Sequence, residues 1–192
     1  MTTYPITASP GFKRAIDFAT EVHDGQVRKY TDTPYIQHPL NVAHTLINSG
    51  HDMKHIALAN QAMLCAAVLH DTIEDCGVTR REIDEQFGPI VAEWVDDLTD
   101  RYTHEAYPDM NRPARKAAEA VRASSQGYAT QTIKYADLID NTLDIADHDP
   151  DFAKVYLPEA EQLAAVMDRG DKALRQRLIS TIHDAKDKLG MN

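Results

Sequence analysis

The sequence predicts an all-α fold: one helical domain over residues 1–192, with about eight to nine helices. Three observations carry that expectation. Apolar residues recur at helical spacing along almost the whole chain, and no alternating strand pattern or internal repeat stands out. Helix starts are marked repeatedly by capping chemistry, at Ser9-Pro10, at Thr79 with Glu82 three residues on, and at Asp149-Pro150. The run from Ala62 to Leu69 is apolar on every side, as in a helix at the centre of its domain.

Each element follows from these signals. After a short lead-in over residues 1–9, Phe12, Ile16, Ala19 and Val22 give a first helix from Pro10 that ends near Gly25. Gln26 to Gln37 contains Thr-Asp-Thr-Pro and reads as a loop. A second helix spans Pro39 to Asn48, stopped by Ser49-Gly50, and a third spans Met53 to Asp75, stopped by Cys76-Gly77. The Thr79 capping box opens a fourth that closes at Gly88, and Pro89 starts a fifth reaching Thr99. Arg101 to Arg112 is the longest loop-like stretch. Further helices are expected at Pro113–Ser124, at Thr130–Asp147, from Pro150 to near Gly170, and from Asp171 to Leu189. The last two helices, residues 150–192, read as core packing through Leu163, Val166, Leu174, Leu178 and Ile182, with a homodimer contact as the other use.

Composition narrows the class of function. With 192 residues, 43% hydrophobic and 26% charged, the chain is too apolar to be disordered. A net charge of −10 argues against a general nucleic-acid binder, although a local basic cluster can still receive an anionic small molecule. Two cysteines, Cys65 and Cys76, are too few for a disulfide scaffold or a cysteine-rich zinc site. No stretch is long and apolar enough for a membrane span, and the first residues lack a signal-peptide pattern, so a cytoplasmic location is expected.

Chemistry concentrates in three places. His70-Asp71 stands near the end of the most apolar helix, where ionisable residues need a partner. Four residues on are Glu74 and Asp75; on one continuous helix they would stack over His70 and Asp71. Three carboxylates that close repel unless a cation or proton intervenes, and acids at a helix C-terminus oppose its dipole; the cluster is a solvated helix end or a cation site, and the mismatch weighs toward the cation. Lys134, Asp137 and Asn141 share one helix face at i, i+3 and i+7, while Ile133, Ala136 and Leu143 are free to pack inward. That face suits an exposed surface, or one metal carboxylate with a phosphate cation and a base-reading amide. In the first long loop Arg28 and Lys29 precede His38, which prolines at 34 and 39 hold on a stiff approach.

Together these segments, Gln26-Val-Arg28-Lys29, Pro34-Tyr-Ile-Gln-His38-Pro39, Leu69-His70-Asp71-Thr-Ile-Glu74-Asp75 and Lys134-Tyr-Ala-Asp137-Leu-Ile-Asp-Asn141, resemble the hydrolase domain of the RelA/SpoT family. The closest likeness is to the free-standing small alarmone hydrolases within the wider HD-domain phosphohydrolases. It covers roughly residues 12–150, and Phe87-Gly88 and Asp97-Leu98-Thr99 also match. The resemblance implies that His38, His70, Asp71 and Asp137 ligate a metal, manganese by the family's habit; the donor set alone would also suit iron, zinc or cobalt. It implies that Glu74 and Asp75 orient water and move protons. Arg28, Lys29, Lys134 and Asn141 would contact the nucleotide. The implied reaction is hydrolysis of the 3′-pyrophosphate of guanosine 3′,5′-bispolyphosphates to GDP or GTP and pyrophosphate, with no synthetase activity in a chain of this length.

The sequence departs from the family pattern at Leu138, at Thr142-Leu143 and at Asp100, where cations are usual. Arg112, Arg115, Lys116 and Arg122 are the candidates to replace them. The departures keep two other readings in play. One is an HD-type phosphohydrolase acting on a different nucleotide, such as an adenosine alarmone, NADPH or a nucleoside monophosphate. The other is a non-catalytic nucleotide-binding or antitoxin module, against which the intact acidic and histidine set speaks.

Overall fold

A computed structural model describes residues 9–51 and 57–191. Among the described residues it holds ten α-helices and, in place of strands, one isolated bridge between Val27 and Pro34. The chain divides into two units, Met1–Thr99 and Asp100–Asn192.

The first unit contains α1 (Pro10–Val22), α2 (Gln37–Asn48), α3 (Ala57–Leu69), α4 (Thr72–Cys76), α5 (Arg80–Phe87) and α6 (Pro89–Leu98). Capping decides most of the boundaries. The Ser9 hydroxyl accepts from the Phe12 N–H, and Pro10 occupies the first turn of α1, where its missing N–H costs nothing. Thr79 and Glu82 close the expected capping box on α5. Gly77 ends α4 in the left-handed conformation at φ 68°, a region that favours glycine. The apolar helix α3 packs against α1, α2 and α6, and every residue from Met63 to His70 is buried. Burial pushes the Cys65 thiol on α3 up to about 11, as suits a small buried hydrophobe rather than a reactive group.

One expectation is corrected here. The expected third helix does not run unbroken to Asp75: it stops at Leu69, turns at His70 and Asp71, and restarts as the five-residue α4. Its expected start at Met53 lies outside the described residues. Two side-chain bonds compete with the helix ladder at the break. His70 Nδ1–H donates to the Ala67 carbonyl at 2.8 Å, and the Thr72 hydroxyl donates to the Leu69 carbonyl at 2.7 Å. Glu74 and Asp75 therefore sit in the first turn of a new helix, and the dipole argument made for them at a helix C-terminus does not hold.

The second unit contains α7 (Arg112–Ser125), α8 (Tyr128–His148), α9 (Pro150–Val166) and α10 (Lys172–Lys188). Asn111, Asp149 and Asp171 cap α7, α9 and α10 by accepting from the N–H groups of Ala114, Phe152 and Leu174. The helix α8 packs on α9 and α10, and α9 also packs on α7 and α10. Leu174, Leu178 and Ile182 enter the core as expected, whereas Val166 and Leu143 are exposed. Leu143 is exposed although Ile139 and Ala136, its i−4 and i−7 neighbours on the same side of α8, are buried. The loop ahead of α7 is anchored by the Glu119 carboxylate, which is buried and accepts the backbone N–H groups of Arg101 and Tyr102. Among the described residues no helix is long and apolar enough to cross a membrane.

Candidate metal centre

The first unit brings three of the expected ligands together. His38 stands in the first turn of α2, delivered by the loop that Pro34 and Pro39 stiffen. His70 and Asp71 occupy the turn between α3 and α4. His38 and His70 are 2% and 3% exposed, and one ligand atom from each of the three side chains lies within 4.8 Å of the others. Asp71 Oδ1 is 3.1 Å from His70 Nε2, and Asp71 Oδ2 is 3.6 Å from His38 Nε2.

The His70 bond to Ala67 decides its tautomer. A carbonyl only accepts, so Nδ1 carries the proton and the neutral ring presents the Nε2 lone pair to the Asp71 carboxylate. Two acceptors facing each other across 3.1 Å in a buried turn are stable only with a cation or a further proton between them. Two imidazole nitrogens and a carboxylate oxygen, all convergent, are the donors a mid-series divalent ion takes, and a histidine oriented by a backbone carbonyl is the usual support for such a site. The residues present fit a metal.

A group that sequence reasoning passed over supports this cluster. The Tyr35 hydroxyl donates to Asp71 Oδ2 at 2.7 Å. Its ring stacks on His23 at 4.8 Å between centroids and meets His38 edge-on at 6.0 Å. Buried His23, at the end of α1, donates from Nδ1 to Gln26 Oε1 at 2.7 Å and touches Cys76 Sγ at 3.2 Å. Gln26 in turn donates to the Asp75 carbonyl at 3.3 Å, tying the loop to α4. Burial, then the Asp71 and Asp75 carboxylates, push the Tyr35 phenol far above its ordinary value, so it remains a donor. Tyr35 lies inside the motif around His38, and its phenol is the signal that could have found it; His23 gives none, because a contact to Gln26 three residues on is unremarkable and Cys76 is distant in sequence.

The expected acids and cations are placed as follows. Glu74 and Asp75 are exposed on α4, and desolvation followed by the charge of Asp71 raises the Asp75 carboxyl above the usual carboxylate range. Arg28 and Lys29 lie in the loop that the Val27–Pro34 bridge closes; Lys29 Nζ donates to the Tyr30 hydroxyl at 2.9 Å and sits over that ring.

In the second unit Lys134, Asp137 and Asn141 share one face of α8 as the spacing requires. Asp137 is 3% exposed, with Oδ2 at 2.9 Å from Lys134 Nζ and Oδ1 accepting from Asn141 Nδ2 at 2.6 Å. Asp100 pairs with Lys116 at 2.9 Å. Burial alone would raise the Asp100 carboxyl, but Lys134, Lys116 and Arg122 outweigh it and hold it below the usual range. The candidate replacement cations are engaged within the unit. Arg112 bridges to Glu159 at 2.7 Å, Arg122 to Glu119 at 2.7 Å, Lys116 to Asp100, and Arg115 donates to the Met110 carbonyl.

Comparison with known proteins agrees with this chemistry. The family model for the HD domain matches residues 15–164. The guanosine-3′,5′-bis(diphosphate) 3′-pyrophosphohydrolase MESH1 of Xenopus tropicalis is 37% identical over 132 residues, 68% of this chain and 67% of that protein. The Mus musculus protein of the same name is 29% identical over 179 residues, 92% of this chain and 93% of that protein. A solved structure described as a metazoan ortholog of SpoT that hydrolyzes ppGpp superposes with a TM-score of 0.77 at 25% identity, covering 95% of this chain and 98% of that one. A buried His-His-Asp cluster raised on the His70-Asp71 dipeptide, and these relatives, place the chain in the HD-domain family, among the MESH1 and SpoT-like pyrophosphohydrolases.

Proposed function

We propose that this protein is a metal-dependent pyrophosphohydrolase that removes the 3′-pyrophosphate of ppGpp and pppGpp, giving GDP or GTP and pyrophosphate. The observation that carries the reading is the convergent His38–His70–Asp71 cluster, and the names of the relatives point to the substrate. In this reading the two units act as one catalytic domain, since the matched family segment runs through both.

His38, His70 and Asp71 hold the ion, with Asp137 as the fourth donor by its place in the family motif. We assign Mn2+ by family habit. A divalent ion there supplies a Lewis acid that polarises a phosphoryl oxygen and makes water more acidic. The rest is done by side chains. Asp75, whose carboxyl is raised, accepts a proton from the attacking water with Glu74 beside it, and returns one to the departing oxygen. Arg28 offers a planar face to the base and a fork to phosphate oxygens; Lys29 and Lys134 add point charges, and Asn141 reads the nucleotide while steadying Asp137.

The Asp100–Lys116 pair favours a second reading, in which the substrate is a less anionic nucleotide such as NADPH or a nucleoside monophosphate. A carboxylate placed where the family carries a cation lowers the local positive field that a full alarmone needs. Turnover by metal-stripped protein reloaded with Mn2+ separates the two, with products resolved by ion exchange and Asp71→Ala run beside it. GDP and pyrophosphate from ppGpp, lost in the variant, is the expected result. No turnover of ppGpp alongside orthophosphate release from NADPH or a monophosphate would move the assignment to the second reading.

A further inference from the structure

We propose that Tyr35 is the positioning residue of the metal cluster: through its hydroxyl it sets the rotation of the Asp71 carboxylate. The inference rests on reading His38, His70 and Asp71 as metal ligands.

A carboxylate rotates about its last bond in a broad, two-fold well, so its direction comes from neighbours rather than from its own rotamer. Asp71 begins α4 without a side-chain bond to the helix start, so the usual capping contact does not fix it. The Tyr35 hydroxyl does, at 2.7 Å from Oδ2. It leaves Oδ1 turned to His70 Nε2 at 3.1 Å, and Oδ2 within 3.6 Å of His38 Nε2.

Tyr35 is itself held on three sides. Its N–H donates to the Gln26 carbonyl at 2.9 Å, its ring lies on His23 with 29° between planes, and its edge meets His38. His23 is fixed by Gln26, and Gln26 is bonded to the backbone of α4. A ring so restrained delivers its hydroxyl to one point. Partners of this kind that orient a ligating carboxylate are typically worth 10–100-fold in metal affinity.

Tyr35→Phe in the full chain keeps the ring stack and removes only the donor. The test is Mn2+ affinity, read from the EPR signal of the free aqueous ion, with Co2+ absorption as the second probe. Thermal melting of the metal-free protein runs in parallel. The expected result is roughly 10–100-fold weaker binding at unchanged stoichiometry, with metal-free melting the same as wild type. An affinity within about twofold of wild type overturns the proposal, whatever the melting does. Wild-type protein that binds neither ion, or binds it equally well as Asp71→Ala, overturns the metal reading and this proposal with it. Intact wild-type binding with an indifferent Tyr35→Phe overturns the positioning role alone.

Discussion

Asp71 is a half-buried carboxylate in the turn before α4 and Asp137 a buried one on α8, and their surroundings differ in kind. Asp71, in the first unit, faces two imidazoles and a phenol. Asp137, in the second, is met by an ammonium on one oxygen and an amide on the other. The first environment is short of positive charge and gains from an added ion; the second carries its own counter-charge. A carboxylate expected to be a ligand can thus be neutralised from within its own helix, so an ion taken up by Asp137 would compete with Lys134.

The contrast breaks most visibly at Asp71. Asp71→Ala should lower kcat/KM on the order of 10³-fold, since several kcal/mol of charge stabilisation go with the ion, and equilibrium dialysis should show the metal lost. Retained metal with full activity would remove Asp71 from the site. Lys134 sharpens the other side of the comparison. Lys134→Met should raise KM about tenfold with kcat little changed, as for a side chain that binds ground and transition states alike. A fall in kcat with KM unchanged would instead put Lys134 in the chemical step.

Asp100 tests the second unit's internal neutralisation through stability. Its carboxyl is held low, so the pairing contributes fully above the unfolded value near pH 4 and is lost as pH falls through the lower folded value. Asp100→Asn should therefore cost about 1–2 kcal/mol at pH 7, a cost that shrinks as pH falls below the unfolded value, in denaturant unfolding at neutral and acid pH. A pH-independent cost would mean packing rather than charge. The smallest effect lies outside both clusters. Thr79→Ala removes the α5 cap and should cost about 1 kcal/mol with metal affinity unchanged, by the same unfolding assay and a Mn2+ titration.

Local chemistry makes much of this legible in the sequence itself. Caps at Ser9, Thr79, Asp149 and Asp171 mark helix starts because a single side chain satisfies a nearby N–H, an interaction written within four residues. The meeting of His38 with His70 and Asp71 was legible only through the motifs, since spacing alone says nothing across 32 residues. The break after Leu69 was hidden, because the apolar run gives no stop and the bonds that cause it come from His70 and Thr72 themselves. The Lys134–Asp137 pair was written in i, i+3 spacing, yet that spacing serves a salt bridge as well as a ligand set. The engagement of Arg112 by Glu159 needs the packing of α7 on α9 and could not be read from the chain.

The loop between α1 and α2 is pinned at its base. Val27 pairs with Pro34, Arg28 N–H donates to the Thr33 carbonyl at 2.8 Å, and Tyr35 N–H donates to the Gln26 carbonyl at 2.9 Å. Residues beyond that neck can be exchanged, or a few added, at a closure cost that grows only logarithmically with length. Tyr35 and His38 follow Pro34 in sequence and so lie outside the neck. Under the proposed function, the architecture separates two evolutionary variables: the cations of the loop tip, which tolerate revision, and the proposed ion-holding residues outside the neck.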